Sequence, residues 1–115
     1  MMTRDDIERL VFDRICNGTS FVKIEEVFIE NGFDFYGDLM LCTNNSAKLN
    51  IFFWGGWNKE AVDIFHSAFS KSDARYIRTS YLLYYMDGKV PNSPIAKQFR
   101  KYKDWHWMPV VIGKE

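Results

Sequence analysis

The sequence contains few of the residues that mark disulfide-stapled, zinc-binding or membrane-spanning proteins. Its 115 residues include two cysteines, Cys16 and Cys42, and two histidines, His66 and His106. Two cysteines without C-x-x-C spacing exclude a disulfide-stapled scaffold, and a structural zinc site needs four ligands. No apolar run approaches the ~18 residues of a membrane helix, so we expect no membrane association. Both cysteines have apolar neighbours, which predicts buried, reduced thiols in a cytoplasmic protein.

Sequence signatures of catalysis are also missing. Gly55-Gly56 lies between a predicted strand and a predicted helix, but the Lys-Ser/Thr of a P-loop and the G-x-G-x-x-G spacing are absent. Asp63 and His66 share one helix face, yet two groups without a defined third make a weak metal site. No local signature pairs either cysteine with a histidine. We therefore expect a non-catalytic protein without metal, cofactor or small-molecule substrate.

Aromatic residues, in contrast, are abundant. The chain has ten Phe, six Tyr and four Trp, and 47% of its residues are hydrophobic. This apolar content is sufficient to offset chain entropy, which excludes a disordered protein. The length predicts one domain, residues 1–115. So many large rings cannot all be central in so small a domain, so we expect some of them to contact a protein partner or a second copy.

The net charge is zero, but its distribution is uneven. Residues 1–38 contain nine acidic and four basic side chains, while residues 75–115 contain eight basic and three acidic ones. A neutral protein with one positive end can still bind a phosphate backbone or an acidic partner there. The alternative is that the two ends complement each other in the fold or face water.

Apolar residues at helical spacing predict three helices. The first covers residues 4–16. The second helix follows Thr19-Ser20 and ends at residues 31–32, and its outer face carries Glu25, Glu26 and Glu30. Residues 21–22 fit either this helix or a short extended piece before it. The third begins after Asn58, whose side chain can cap it.

Strand-favouring runs occupy residues 49–54, 76–86 and 107–112. Gly55-Gly56 is predicted to end the first of them. Residues 33–43 fit either a short helix or a buried strand, and residues 44–46 read as a turn. Ser93-Pro94 can begin a further short helix. The pattern predicts an α+β fold with about three helices on a small, mainly antiparallel sheet.

Four segments carry a resemblance to a known group of proteins. They are residues 54–60 (WGGWNKE), 80–88 (SYLLYYMDG), 94–97 (PIAK) and 106–111 (HWMPVV). Over residues 54–112 the chain resembles small proteins of phages and pathogenicity islands of Gram-positive bacteria. That group resembles winged-helix domains in its order of elements, which implies a winged-helix-like architecture and a mobile-element origin. The group has no assigned activity, so the resemblance transfers no catalytic residue.

The stretch from residue 97 to residue 107 interleaves cations with aromatic rings. Nucleic-acid sites need cations for phosphate and flat side chains for unpaired bases. The candidate nucleic-acid-binding residues are Lys97, Arg100, Lys101 and Lys103. The candidate partner-binding residues are Tyr84, Tyr102, Trp105 and Trp107. The alternative is that the tryptophans fill the core while the lysines face water.

Two functions follow from these observations. The first is a non-catalytic phage or mobile-element protein that binds a protein partner, either a host factor that it modulates or a second copy of itself. The second is a DNA-binding winged-helix transcriptional regulator. A groove-reading helix at residues 34–43 would be acidic and apolar, whereas base readout normally uses Arg, Lys, Asn or Gln. The first function is therefore preferred.

Overall fold

The computed structural model describes residues 2–114, which form a mixed α+β fold. The class predicted from the sequence is confirmed, but this part of the chain has five helices rather than about three. In chain order the elements are α1 (Arg4–Arg14), α2 (Phe21–Glu30), β1 (Tyr36–Leu41), α3 (Asn44–Lys48), β2 (Ile51–Phe52), β3 (Trp54–Trp57), α4 (Lys59–Lys71), β4 (Arg75–Arg78), α5 (Tyr81–Asp87), β5 (His106–Trp107) and β6 (Val110–Gly113).

Each helix begins after a side chain that caps its first turn. Asn58 accepts a hydrogen bond from the Ala61 N–H, as predicted for α4. Ser20 accepts from the Lys23 N–H, so residues 21–22 belong to α2 and not to an extended piece before it. α1 ends at Arg14 rather than at residue 16, because the next residue is already extended.

The strands form three separate two-stranded sheets rather than one. β1 pairs with β3 and β4 pairs with β6, both antiparallel, while β2 and β5 are parallel. The predicted strand at residues 49–54 is divided into β2 and β3, and Gly55-Gly56 lies within β3 instead of ending a strand. The strand predicted at residues 107–112 is likewise interrupted between β5 and β6. The winged-helix architecture is not confirmed.

Two ambiguous segments are resolved by the fold. Residues 33–43 contain the strand β1, so the strand alternative holds for this segment and the short helix does not. Residues 44–46 begin the helix α3 rather than a simple turn, because Thr43 and Ser46 exchange side-chain-to-backbone hydrogen bonds in a capping box.

Residues 76–86, predicted as a strand, divide into β4 and the helix α5. Ser80 caps α5 by accepting from the Leu82 N–H, and Gly88 ends it with a φ of 85°, which glycine adopts without strain. Residues 91–105 contain neither a helix nor a strand, so the short helix predicted after Ser93-Pro94 is wrong. This segment is a loop anchored at both ends.

The core is formed by buried side chains from α1, α2, α4, α5 and the short sheets. Its largest fully buried side chains are aromatic, and they include Trp54, Trp57, Trp107, Tyr84 and Phe21. The Phe21 ring stacks on Trp54 at a centroid distance of 5.8 Å and meets Phe65 at 5.5 Å. The thiols depart from the prediction of two buried cysteines: Cys16 is exposed, and Cys42 is partly buried, which raises its pKa.

Candidate binding surfaces

A buried carboxylate lies at the centre of the aromatic core. Glu25 is only 3% exposed, although the sequence pattern placed it on the outer face of α2. Its Oε2 accepts hydrogen bonds from the indole N–H groups of Trp54 and Trp57, each at 2.8 Å. Its Oε1 accepts from the Lys89 ammonium at 2.5 Å. The charge is thus fully partnered, which is what allows a carboxylate to remain in the core.

An open cleft of about 340 Å³ adjoins this cluster. Its lining includes Gly55, Gly56 and the side chains of Phe52, Trp54, Lys89 and Trp105. The Lys89 ammonium lies 5.9 Å from the Trp54 ring centroid, within cation–π range. Lys89 is the one cationic side chain among the described residues that line the cleft, and its charge is balanced by Glu25. The cleft therefore presents a mainly apolar surface.

The helix α5 exposes a continuous apolar face. The four side chains Tyr81, Leu82, Tyr85 and Met86 are 41%, 56%, 59% and 87% exposed. They lie at i, i+3 and i+4 spacings, so they are neighbours on one side of the helix. The rings of Tyr81 and Tyr85 meet edge to face at 5.6 Å. We call these four residues the α5 face.

The opposite side of α5 is anchored by Tyr84, which the sequence had placed among the partner-binding residues. Tyr84 is fully buried; its hydroxyl donates to the Val110 carbonyl at 2.6 Å and accepts from the Phe21 N–H at 3.2 Å. Burial raises the pKa of Tyr84, so the hydroxyl remains a donor at all physiological pH values. Tyr84 therefore attaches α5 to the core, and the Tyr84 side chain itself is not accessible to a partner.

Two further candidates for partner binding are also core residues. Trp107 is 1% exposed and donates its indole N–H to the Phe53 carbonyl at 3.0 Å. Tyr102 is 8% exposed, and its hydroxyl donates to the Gln98 carbonyl. Aromatic residues of a small domain are mostly needed to fill its interior. Trp105, at 39% exposure, is the one member of the predicted partner-binding set that reaches the surface.

The candidate nucleic-acid-binding cations do lie together. All four are exposed on residues 95–107, a loop that ends in the strand β5 and that we call the basic loop: Lys97, Arg100, Lys101 and Lys103. The loop carries one acidic side chain, Asp104, and among residues 2–114 none of the four cations forms an ion pair. Its surface is therefore positive.

Backbone hydrogen bonds hold the basic loop in one shape. At its ends, Ala96 N–H donates to the Trp107 carbonyl at 2.7 Å. In its middle, Tyr102 N–H donates to the Leu49 carbonyl at 3.1 Å, and the Asn50 side chain donates to the Tyr102 carbonyl at 2.9 Å. A loop of this length with joined ends and its own packed side chains is an Ω-loop, a type that is frequently functional.

Arg100, Tyr102 and His106 stack on one another within the basic loop. The His106 ring lies parallel to the Tyr102 ring at 4.0 Å, and the Arg100 guanidinium carbon lies 4.3 Å from the Tyr102 centroid. The Nδ1 atom of His106 donates to the Asp104 carbonyl at 2.8 Å. These three side chains and Lys97 contribute to the lining of a concavity of about 340 Å³.

Two of these features were not predicted from the sequence, buried Glu25 and the α5 face, and neither was the 51% exposure of Phe99 on the basic loop. The sequence contained one signal for a residue such as Glu25. Each buried tryptophan needs a hydrogen-bond acceptor for its indole N–H group, and the chain has four tryptophans. The α5 face had no such signal, because its residues favour a strand as much as a helix.

Residues 2–114 provide neither a metal site nor a membrane-spanning helix. No group of three or more His, Cys, Asp or Glu side chains within residues 2–114 is placed to hold a metal ion. None of the helices described above is long and apolar enough to cross a membrane. Comparison with protein-family models, curated proteins and solved structures finds no match to this chain.

Proposed function

We propose that this chain is a non-catalytic interaction protein that binds a protein partner through the α5 face. The observation that carries the proposal is the exposure of four large apolar side chains side by side on one short helix. A monomer rarely exposes such a patch, because covering it with a partner is favourable at about 25 cal/mol per Å² of apolar surface. Tyrosine is also among the residues that anchor interfaces most often.

The surroundings of the α5 face support an apolar contact. Residues 81–86 contain no charged side chain, and the Asp87 carboxylate at the end of the helix accepts a hydrogen bond from Ser20 at 2.9 Å. The helix is rigidly attached through Tyr84, so binding would require little ordering of the backbone. A preformed apolar surface of this kind suits a protein partner, including a second copy.

We place this interaction in the cytoplasm of a bacterial cell that carries a phage or mobile element, where the protein would modulate a host factor or associate with itself. The cytoplasmic assignment fits the two unpaired thiols, Cys16 and Cys42. The mobile-element origin depends on the sequence resemblance of residues 54–112.

The test is charge insertion in the α5 face. We expect L82E/M86E to abolish binding, since desolvating two carboxylates against an apolar partner is costly. Sedimentation velocity of wild type and variant measures self-association, and matched affinity capture from host lysate measures binding of another protein. The control I29E introduces a charge at an apolar residue that is 62% exposed on α2.

The proposal requires a species that wild type and I29E form and L82E/M86E does not. It is rejected if wild type is monomeric and captures nothing that L82E/M86E does not also capture. Circular dichroism of the variants establishes that each is folded before these comparisons are made.

The DNA-binding regulator remains the second hypothesis, and one observation favours it. The four cations predicted to contact phosphates are exposed on a single loop with no ion pair among the described residues. Against it, residues 36–41 are a strand where the groove-reading helix was considered, and α3 has five residues. A phosphate-driven complex with a duplex weakens steeply as salt rises, which tests this hypothesis directly.

A further inference from the structure

We propose that the basic loop binds single-stranded nucleic acid. The loop combines four exposed cations with two exposed rings, Phe99 at 51% and Trp105 at 39%. Cations bind the phosphates of a single strand, and exposed rings stack on its unpaired bases. This inference is independent of the protein-binding proposal, since it uses no residue of α5. It shares only the phosphate contacts with the duplex-binding hypothesis.

Phe99 is the most exposed aromatic ring of the basic loop. It is the only phenylalanine among residues 2–114 that is more than half exposed. Its neighbours in the sequence are Gln98 and Arg100, both exposed. A large apolar ring surrounded by polar side chains on a loop gains by covering its face, and a nucleobase is a flat partner of matching size.

Arg100 and His106 supply two further flat groups, and both pack on the buried ring of Tyr102. The centroid of the Tyr102 ring lies 4.3 Å from the Arg100 guanidinium carbon and 4.0 Å from the centroid of the His106 ring. Arginine planes and histidine rings stack on unpaired bases in RNA-binding proteins. The adjoining concavity, about 340 Å³, falls within the ~300–1,000 Å³ range of ligand pockets.

The loop is already ordered, which favours binding. The Asn50 side chain donates to the carbonyls of Tyr102 and Lys103, and the Lys101 ammonium donates to the Lys48 carbonyl at 2.7 Å. The Arg78 guanidinium donates to the Lys97 carbonyl at 2.8 Å and adds a fifth cation beside the loop. A preorganised surface loses less entropy when its ligand binds.

A single strand fits this surface better than a duplex. Bases in a duplex stack on one another and present only their edges, so Phe99 and Trp105 would find no exposed base face. Reading a duplex normally requires a helix or strand pair with polar side chains in the major groove. The basic loop contains no helix, and the helix that it contacts through Lys48, α3, has only five residues.

The experiment is fluorescence-anisotropy titration of the full chain with a labelled oligothymidine of about 20 nucleotides and with a duplex of the same length. Measurements are made near 50 mM and near 200 mM salt, a range over which phosphate contacts weaken strongly. We expect the single strand to bind at least about tenfold more tightly than the duplex, with affinity falling as salt rises.

Two variants separate the contributions, each with a matched control. K97E/R100E should abolish binding, while R4E/R9E, which reverses two exposed cations on α1, should not. F99A should weaken single-strand binding about fivefold or more and leave the salt dependence unchanged, because stacking involves no phosphate. The control Y85A removes an exposed ring outside the loop.

Three results would overturn the inference. The first is no binding of the oligothymidine by wild type at low salt. The second is an equal or higher affinity for the duplex, which would support the regulator hypothesis instead. The third is an unchanged single-strand affinity in F99A, which would reduce the loop to a nonspecific charged surface. F99A is expected to fold, since the side chain lies outside the core.

Discussion

The most consequential single residue of the fold is Glu25. Its position between Ile24 and Glu26 on an amphipathic helix suggests a solvated carboxylate, yet it is buried among tryptophans. The reason is that Trp54 and Trp57 are both buried and each brings an indole N–H that needs an acceptor. One carboxylate oxygen satisfies both, and Lys89 balances the charge.

We predict that Glu25→Ala destabilises the protein by about 2 kcal/mol or more, because two buried indole N–H groups lose their acceptor. Glu25→Gln should have a smaller effect, since the amide oxygen can still accept. Guanidinium denaturation followed by tryptophan fluorescence measures the free energy of unfolding.

The matched control for this prediction is Glu26→Ala. Glu26 pairs with Arg14 at 3.0 Å on the surface, and exposed ion pairs contribute at most about 1 kcal/mol. Equal destabilisation by Glu25→Ala and Glu26→Ala would contradict the role assigned to the buried carboxylate.

Among the elements, α5 departs most from its sequence pattern. Residues 76–86 are rich in Tyr, Ile and Leu and satisfy strand propensity, but a helix forms after Ser80. Strand alternation would place Tyr84 with Leu82 and Met86, whereas the helix separates them: Tyr84 is buried and the other two are exposed. The hydrogen bonds of the Tyr84 hydroxyl to α2 and β6 select this arrangement.

We therefore predict that Tyr84→Phe destabilises the protein by about 1–3 kcal/mol, since the Phe21 N–H and the Val110 carbonyl both lose a buried partner. Tyr85→Phe, at an exposed position on the same helix, should leave stability unchanged within about 0.5 kcal/mol. Urea denaturation measures the free energies of unfolding of the two variants and of wild type. A null effect of Tyr84→Phe would show that α5 is held by ring packing alone.

At the scale of the whole molecule, the uneven charge of the sequence is only partly compensated. Lys89 and Glu25 connect the basic and acidic ends of the chain, and Lys71 of α4 pairs with Glu8 of α1 at 2.7 Å. The basic loop remains without an ion pair among residues 2–114. Its positive surface is thus available to an anionic ligand.

The pair between α1 and α4 makes stability depend on pH. The hydrogen bond from Lys71 lowers the pKa of Glu8 below its ordinary value of 4.5. A carboxyl whose pKa is lowered on folding stabilises the protein above the unfolded pKa and loses that contribution as pH falls through the folded pKa. We predict that wild type is more stable than Glu8→Gln at pH 7, and that the difference shrinks below about pH 4.5.

Urea midpoints measured from pH 7 down to pH 3 test this dependence. Lys71→Met, which removes the partner, should lose the same pH-dependent contribution, and the double variant should lose no more than either single one. A difference between wild type and Glu8→Gln that is constant over this range would contradict the prediction.

Local signals were enough to predict the α+β class and the helices α1, α2 and α4, whereas α3 and α5 were missed although each has a capping side chain. Asn58 identified the start of α4 because capping involves only neighbouring residues, and the four cations at residues 97–103 were recognised because they are adjacent in the chain. The candidate nucleic-acid-binding set thus needed no knowledge of the fold. Which of the interleaved rings reaches the surface did not follow from their spacing.

The tertiary structure decided what depends on contacts between distant segments. Glu25 is a core residue because it hydrogen-bonds to side chains 29, 32 and 64 positions away in the sequence. Tyr84 attaches α5 to the core through hydrogen bonds to backbone groups 63 and 26 positions away, which leaves the α5 face exposed. Trp107 and Tyr102 are buried in the folded chain, whereas Phe99 and Trp105 are exposed. Burial is a property of the packed chain, so no local pattern of aromatic residues could separate the rings that hold the fold from those free to bind.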